Sequence, residues 1–198
     1  MFGAVVLAAG ASIRMGSPKA LVQVGEEAAV ARACRQLASS GYGPIVVVVG
    51  AHADAIRPAV PATGRVAVNE NWNLGRTGSI KTGLRALEKG TGFLVWPIDH
   101  PCISEKTLET LLRRDGDIRV PTHQGRRGHP TAFDARIRNE VLALGDDQPL
   151  HDVLHARPSR IAEIPVDDPG VLLNVDTPDD LKKLEAFLRG SRHARSVA

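Results

Sequence analysis

Short apolar runs alternate with amphipathic stretches along the first fifty residues. Residues 2–9 are apolar and are followed by Gly10, and Ile45–Val49 is a continuous β-branched run. Runs of this kind are typical of strands that are buried on both faces of a sheet. Between them, apolar residues recur at the i, i+3, i+4, i+7 and i+8 positions of a helix, namely Val30, Ala33, Cys34, Leu37 and Ala38. The pattern predicts a βαβ unit.

The same alternation continues to the end of the chain. It predicts further strands at residues 65–69, 92–98 and 118–121. Three more helices are predicted from their apolar stripes: Ile80, Leu84 and Leu87; Leu108, Leu111 and Leu112 after a Ser104 cap; and Leu181, Leu184 and Leu188 after a Thr177 cap. Residues 122–169 are less regular, and we interpret them as a cover over the strand ends. The order predicts an α/β fold, a Rossmann-like three-layer sandwich with a mostly parallel sheet and helices on both faces.

Length and charge indicate one neutral domain with a basic end. A chain of 198 residues is long enough for one buried core, which we expect to occupy residues 1–188. The acid-free residues 189–198 carry three arginines, and these account for the whole formal charge of +3. We therefore expect residues 189–198 to be a flexible basic tail. Because duplex-binding proteins concentrate positive charge on a folded face, the composition argues against nucleic acid as a partner.

Cysteine content and hydropathy indicate a reducing, aqueous environment. Cys34 and Cys102 are the two cysteines, without a CxxC motif or a Cys/His cluster, so neither a disulfide framework nor a zinc site is predicted. We expect both to be buried and to have no catalytic role. Since no apolar run approaches the roughly 20 residues that a membrane helix needs, we expect a cytoplasmic protein without a membrane-spanning segment.

Candidate chemistry follows the predicted strands, at the edge where ligands bind in open α/β sheets. After the first strand, small residues let backbone N–H groups approach phosphate oxygens, and Arg14 and Lys19 add positive charge. The loop matches neither G-x-G-x-x-G nor G-x-x-x-x-G-K-[ST], which argues against a dinucleotide site and an ordinary P-loop. Asp99 and Asp176 follow later strands. Each could simply cap a turn, but together they favour a metal site, and Mg²⁺ commonly uses one or two carboxylates.

These residues also carry a family resemblance. The sequence L-A-A-G-x-S-x-R-M-G-x-P-K at residues 7–19 resembles the signature loop of the MobA-like nucleotidyltransferases, especially the molybdenum cofactor cytidylyltransferases. Further similarity lies at residues 71–75 with Ser79, and at residues 99–101, 127–130 and 176–181. The resemblance covers about residues 4–181. It implies a fold like that of the nucleotide-diphospho-sugar transferases.

The resemblance also implies a role for individual residues. Nucleotide-binding residues would be Leu7, Ala8, Ala9, Gly10, Arg14, Lys19, Asn71, Gly75 and Ser79. Arg14, Lys19 and Asp99 would be catalytic, and Asp99 and Asp176 would hold Mg²⁺ as the cofactor. Gly128, His129 and Pro130 would contact the acceptor. His129 could instead bond only a loop carbonyl, and Trp72 could either stack on a base or pack under the sheet.

The implied reaction is transfer of CMP from CTP to the terminal phosphate of molybdopterin or molybdenum cofactor, with release of pyrophosphate. CTP is favoured because Ala9, the third residue of the loop, resembles the cytidine-using relatives. A molybdoenzyme or its chaperone would be a further partner. His100, Asn174 and residues 145–149 depart from the family pattern near the acceptor. Two alternatives therefore stay open: transfer to a sugar phosphate or other phosphorylated metabolite, and a non-catalytic nucleotide-binding protein that assists cofactor insertion.

Overall fold

The computed structural model describes residues 2–156 and 158–196. Within them, the strands are β1 (Phe2–Ala8), β2 (Gln23–Val24), β3 (Glu27–Ala28), β4 (Ile45–Val49), β5 (Gly64–Val68), β6 (Gly92–Pro97), β7 (Ile118–His123), β8 (Arg126–Arg127), β9 (Thr131–Phe133) and β10 (Ile161–Pro165). The α-helices are α1 (Ala29–Ser39), α2 (Ala53–Ile56), α3 (Arg76–Ala86), α4 (Glu105–Arg113), α5 (Arg138–Ala143), α6 (His151–Ala156) and α7 (Pro178–Ser196). The five predicted strands correspond to β1, β4, β5, β6 and β7, and the four predicted helices to α1, α3, α4 and α7.

One large sheet forms the centre of the molecule, in the order β5-β4-β1-β6-β9-β7-β10, with β8 paired to β7. The first four strands of this order are parallel to one another, and β7 is parallel to β10. The short strand β9 lies between the two groups and is antiparallel to both β6 and β7. The predicted mostly parallel sheet is confirmed. Strand β9 was not predicted, because it lies in the irregular segment that we interpreted as a cover.

The core has two halves, one on each face of the sheet. Alternate residues of β1 point to opposite sides, so Ala4 and Val6 pack with the helices α1, α4 and α7, whereas Val5 and Leu7 pack with α3 and α5. The predicted three-layer sandwich with helices on both faces is therefore confirmed. Cys34 and Cys102 are buried, as expected. None of the helices in the described ranges is long and apolar enough to cross a membrane.

Two buried arginines hold the ends of helices. Arg119, on β7, is 3% exposed, and its Nη1 donates hydrogen bonds to the carbonyl oxygens of Leu111 and Arg114, 2.9 and 2.8 Å away. Arg138 does the same for the end of α3 through the carbonyls of Leu87 and Glu88, at 2.9 and 3.0 Å. Helix C-termini carry unpaired carbonyl groups and a partial negative charge. A guanidinium at this position donates hydrogen bonds to the carbonyls and balances the charge.

The last helix includes most of the predicted tail. Thr177 caps it, since its Oγ1 accepts a hydrogen bond from the backbone N–H of Asp180 at 3.3 Å. The helix then continues without a break through residue 188 to Ser196. Residue 188 is therefore not the end of a secondary-structure element, and a flexible tail stays a prediction. Residues 197 and 198 of that predicted tail lie outside the described residues.

A close contact between α3 and the sheet gives a test of this packing. A Cβ at Gly83 would lie 2.3 Å from Cγ1 of Val5 and 3.0 Å from Cγ2 of Val48. Although alanine favours a helix over glycine by about 1 kcal/mol, we expect Gly83→Ala to lower the free energy of unfolding by about 1–3 kcal/mol because the core is overpacked.

Urea denaturation measures this difference directly. Arg85→Ala, at an exposed position of the same helix, is the matched control and should change stability by less than about 0.5 kcal/mol. A Gly83→Ala protein as stable as the wild type would contradict the close approach of α3 to β1.

Candidate active site

The main cleft lies where the strand order reverses. From β1 the chain proceeds to β4 and β5 on one side, and β6 then pairs with β1 on the other side. Such a switch point leaves a crevice at the carboxyl ends of the two central strands. Here the cavity has a volume of about 630 Å³. Its lining includes predicted site residues from four separate parts of the chain: Leu7, Ala9, Gly10, Arg14, Lys19, Gly75, Ser79, Asp99 and Asp176.

The loop after β1 is fixed at both ends. Ser12 has a positive φ of 53°, and its Oγ accepts a hydrogen bond from the backbone N–H of Lys19 at 3.2 Å. His52 Nε2 lies 2.9 Å from the carbonyl oxygen of Ala11, and the N–H of Ala51 donates to the carbonyl of Ala9. Gly10 is exposed within this frame, and no atom lies within 4 Å of the place that a Cβ would take. A phosphate group can therefore approach the Gly10 backbone closely.

Asp176 lies between the two cations of the loop. It follows the short 3₁₀ helix Pro169–Leu172 and not a strand, which differs from the prediction. Lys19 Nζ donates to Asp176 Oδ1, and Arg14 Nη2 is 3.2 Å from Asp176 Oδ2. The hydrogen bond from Lys19 is the largest cause that lowers the pKa of Asp176, and the charges of Lys19 and Arg14 lower it further. Asp99 acts in the opposite direction and raises the pKa of Asp176, which shows that the two carboxylates are near enough to interact.

Asp99 reaches the same place from the end of β6. Its backbone carbonyl accepts a hydrogen bond from the N–H of Val175 at 2.7 Å, which holds the segment before α7 against the β6 end. Burial alone raises the pKa of Asp99, but the hydrogen bond and charge of His100, with the charges of Arg76 and Lys19, outweigh burial and lower the pKa to about 2. Both aspartates are therefore ionised at neutral pH.

The donor set at this point suits a hard divalent cation. Two interacting carboxylates offer oxygen ligands, and Mg²⁺ typically combines one or two carboxylates with substrate oxygens and water. In residues 2–156 and 158–196, no group of three or more His, Cys, Asp or Glu side chains is arranged to hold a metal. The remaining ligands would thus come from substrate and water, which fits a site where metal and substrate bind together.

The start of α3 forms the opposite wall of the cleft. Gly75, at φ 150°, precedes the helix, and Gly75, Arg76 and Ser79 line the cavity, so the positive end of the helix dipole lies at this wall. The segment of residues 144–148 fixes this end of α3. Lys81 Nζ donates to the carbonyl of Leu144 and pairs with Asp146 at 2.7 Å, and the Thr77 hydroxyl donates to the carbonyl of Gln148.

A second cavity of about 330 Å³ adjoins the first and shares Leu7, Arg76 and Pro97 with it. Its other apolar lining residues are Ile80, Val95, Pro149 and Leu150. The polar ones are His129, Thr131 and His151. Of the predicted acceptor residues, His129 lines this cavity. Gly128 instead packs against Val171, whose carbonyl oxygen would lie 2.4 Å from a Cβ at Gly128, and Pro130 is buried.

His129 keeps one ring atom without a partner. Its Nδ1 is buried and makes no hydrogen bond within the described part of the chain, while its backbone N–H donates to the carbonyl of Val171 at 2.9 Å. The ring lies 4.5 Å from the ring of His100. Burial, followed by the charges of His100 and Arg76, lowers the pKa of His129 to about 4. At neutral pH this imidazole is uncharged and can exchange a hydrogen bond with a ligand.

Two of the predicted nucleotide-binding residues do not line the main cavity. Ala8 is buried on the opposite face of the sheet, and Asn71 is exposed, outside the lining of both cavities. Trp72 both lines the main cavity and packs against the core. Arg76 lines both cavities, but sequence reasoning missed it. The available signal was a cation directly after Gly75, at the predicted start of a helix.

Comparison with known proteins agrees with this geometry. A family model described as "MobA-like NTP transferase domain" matches residues 4–162. The nicotine blue oxidoreductase of Paenarthrobacter nicotinovorans is 31% identical over 91% of this chain and 94% of its own. A probable molybdenum cofactor guanylyltransferase of Chloroflexus aggregans is 30% identical, with 95% of each chain covered.

Among solved structures, Rv0371c of Mycobacterium tuberculosis superposes with a TM-score of 0.82 at 26% identity, covering 92% of this chain and 96% of its own. Rv0371c has also been solved in complex with manganese. A nucleotidyl transferase from Methanothermobacter thermautotroptrophicus gives the same TM-score at 24% identity, over 96% of this chain and 99% of its own. The fold is that of the nucleotide-diphospho-sugar transferases.

The open space at Gly10 leads to a prediction that separates binding from folding. We expect Gly10→Ala to leave the thermal midpoint unchanged, because the added methyl meets no protein atom. The same methyl would stand where a phosphate approaches the loop, so we expect triphosphate affinity to fall about 10-fold or more. Calorimetric titration with CTP and with GTP measures the effect. Ser17→Ala, at an exposed position of the same loop, should leave affinity unchanged, and undiminished affinity in Gly10→Ala would exclude this role for Gly10.

The lowered pKa of Asp99 leads to a prediction on stability. The pKa of Asp99 is about 2 in the fold against an ordinary value of 3.8, so the stabilisation that the Asp99 carboxylate provides is fully present above pH 3.8 and is lost as pH falls toward 2. We expect the difference in unfolding free energy between wild type and Asp99→Asn to narrow by about 1 kcal/mol between pH 5 and pH 3. Urea midpoints at several pH values report it. A difference that stays constant over this range would mean that Asp99 has an ordinary pKa.

Proposed function

This chain belongs to the MobA-like NTP transferase family, and we propose that it is a Mg²⁺-dependent nucleotidyltransferase that transfers CMP from CTP to the terminal phosphate of molybdenum cofactor. One observation carries the proposal: two ionised carboxylates, Asp99 and Asp176, lie beside Lys19 and Arg14 in the cleft at the strand switch point. Transfer between phosphates requires positive charge and in-line positioning more than a strong base, and Arg14 and Lys19 supply the charge.

The residues of the cleft divide the work of the reaction. The Gly10 loop, Arg14 and Lys19 would bind the triphosphate and balance the charge that gathers on the departing pyrophosphate. An acceptor phosphate oxygen forms a new bond to the α-phosphorus, and the bond from that phosphorus to the bridging oxygen breaks, with its electron pair leaving on pyrophosphate. When bound to Asp99 and Asp176, Mg²⁺ would supply Lewis-acid neutralisation of the phosphate oxygens.

Asp176 has a second task in this scheme. Before nucleotide binds, it holds Lys19 and Arg14 in the cleft and keeps two like charges side by side. An incoming triphosphate offers several oxygens to the same cations, so Asp176 can give up part of these contacts in exchange for the metal. The cations would need little rearrangement, which lowers the cost of binding.

The proposal also specifies the base of the nucleotide donor. Ala9 lines the cleft beneath the loop and supports CTP through its likeness to cytidine-using relatives. GTP is the alternative, because the Chloroflexus aggregans relative is named a guanylyltransferase.

The second cavity supports an acceptor with a ring system as well as a phosphate. It shares Arg76 with the cleft, and the uncharged imidazole of His129 lines it. A molybdopterin phosphate suits this combination, with a sugar phosphate as the alternative acceptor. We further propose a cytoplasmic location and hand-over of the product to a molybdoenzyme or its chaperone.

A relative named nicotine blue oxidoreductase favours one other candidate, a redox reaction in the same cleft. The cleft would then bind the phosphates of a redox nucleotide through Arg14 and Lys19. Oxidation of NADH or NADPH in the presence of a quinone-like dye, with no pyrophosphate released from any triphosphate, would favour this second function.

Pyrophosphate release is the direct test of transfer. We expect release with Mg²⁺, CTP and molybdenum cofactor, and far less with GTP, ATP or UTP, because Ala9 favours cytidine. Release of pyrophosphate with GTP would identify GTP as the donor. Release only with sugar phosphates would identify a sugar phosphate as the acceptor. Binding of triphosphate without release from any pair would favour the accessory, non-catalytic role.

Asp99→Asn tests the metal site within the same assay. Because a neutral amide cannot replace the carboxylate as a metal ligand and charge, turnover should fall by about 10² or more. Asp54→Asn, at an exposed position on α2, is the matched control and should retain full turnover. Unchanged Mg²⁺-dependent turnover in Asp99→Asn, with folding checked by circular dichroism, would remove Asp99 from the site.

A further inference from the structure

Arg76 lies where the two cavities meet. It is the first residue of α3, and it lines both the cleft and the smaller cavity. Its side chain is 62% exposed, and its Nη2 is 3.9 Å from Asp99 Oδ2. The guanidinium is therefore next to the carboxylate proposed to hold the metal, and it shares the smaller cavity with His129.

Arg76 has hydrogen-bonding capacity to spare. Arg14 and Lys19 both pair with Asp176 at short range. The contact of Arg76 with Asp99 is close to the outer limit of an ion pair and engages one nitrogen of a group that carries five N–H donors. A guanidinium matches two phosphate oxygens at once, and Arg76 is the first residue of α3, at the positive end of the helix dipole.

The rest of the smaller cavity has a different character. Six of its ten lining residues are apolar, namely Leu7, Ile80, Val95, Pro97, Pro149 and Leu150, and the other four are Arg76, His129, Thr131 and His151. Burying a flat apolar group against such walls is favourable, whereas a ring of sugar hydroxyls would lose water without an equal number of hydrogen-bond partners. The cavity holds about 330 Å³, enough for a ligand of one or two rings.

We propose that Arg76 binds the acceptor's phosphate at the junction of the two cavities and that the acceptor is a phosphate monoester with an apolar or aromatic body, which occupies the smaller cavity. This inference rests on the proposed transferase function and adds a substrate-positioning residue to it. The phosphate is held beside Asp99 while the body is fixed away from the donor, and this orients the attacking oxygen toward the cleft.

Phenyl phosphate is a suitable probe, and glucose 1-phosphate is the comparison. Binding is followed by NMR titration with the donor site filled by the α,β-methylene analogue of CTP or GTP, whichever the protein binds, so that no transfer occurs. We expect phenyl phosphate to bind more tightly than glucose 1-phosphate. In Arg76→Gln its affinity should fall about 10- to 100-fold, as for loss of charge-assisted hydrogen bonds, with partial recovery in Arg76→Lys.

Two further variants separate this role from a structural one. Arg85→Gln, an exposed arginine on the same helix, should bind phenyl phosphate like the wild type. Leu150→Trp should fill the smaller cavity and weaken phenyl phosphate while leaving nucleotide affinity unchanged. In turnover, Arg76→Gln should raise the KM for the acceptor far more than the KM for the nucleotide.

The inference is wrong if Arg76→Gln binds phenyl phosphate as tightly as the wild type, or if nucleotide affinity falls by the same factor. Equal affinity for glucose 1-phosphate and phenyl phosphate would overturn the inference that the acceptor has an apolar or aromatic body. If phenyl phosphate binds through Arg76 but no acceptor yields pyrophosphate, the transferase function fails while the binding site stands.

Discussion

The pairing of β1 on both of its edges is the constraint on which the site depends. Strand β1 bonds to β4 on one side and to β6 on the other, with all three parallel. The carboxyl ends of β1 and β6 must then open at the same edge of the sheet, and the chain after each must turn away from it. Because β1 and β6 are buried on both faces, neither can slide by a residue without disrupting the packing of both halves of the core. The positions of Gly10 and Asp99 are therefore set by the core.

Charge in the cleft is arranged before any ligand binds. Both aspartates have neighbours that lower their pKa values: Lys19 and Arg14 next to Asp176, and His100 and Arg76 next to Asp99. Such an arrangement is costly in water-poor surroundings unless each charge has a partner, and a divalent cation and a triphosphate are the ligands that complement both signs. This preorganisation is what distinguishes the cleft from a surface cluster of ion pairs, which contributes little.

Local sequence was sufficient for most of the framework. The continuous β-branched run of β4 and the apolar stripe of α1 predict a strand and a helix without any tertiary information. Loops of similar length do not have such patterns. Strand β9 has three residues, too few for a periodic signal, so its antiparallel insertion between β6 and β7 was not foreseen. Arg119 and Arg138 are buried against helix ends, and nothing in their local sequence distinguishes them from exposed arginines.

The two halves of the candidate site also differ in how far local sequence predicts them. The residues predicted to bind the donor are concentrated in one contiguous loop, and of these Leu7, Ala9, Gly10, Arg14 and Lys19 line the cleft whereas Ala8 does not. The smaller cavity is assembled from β1, β6, β9, the start of α3 and residues 149–151, so it exists only after the whole sheet has formed. Departures from the family pattern fall near this second half: residues 145–148 fix the start of α3, and His100 packs against His129. A family that keeps the first half and varies the second can retain one chemistry while it changes acceptors, and Arg76 stands at the boundary between them.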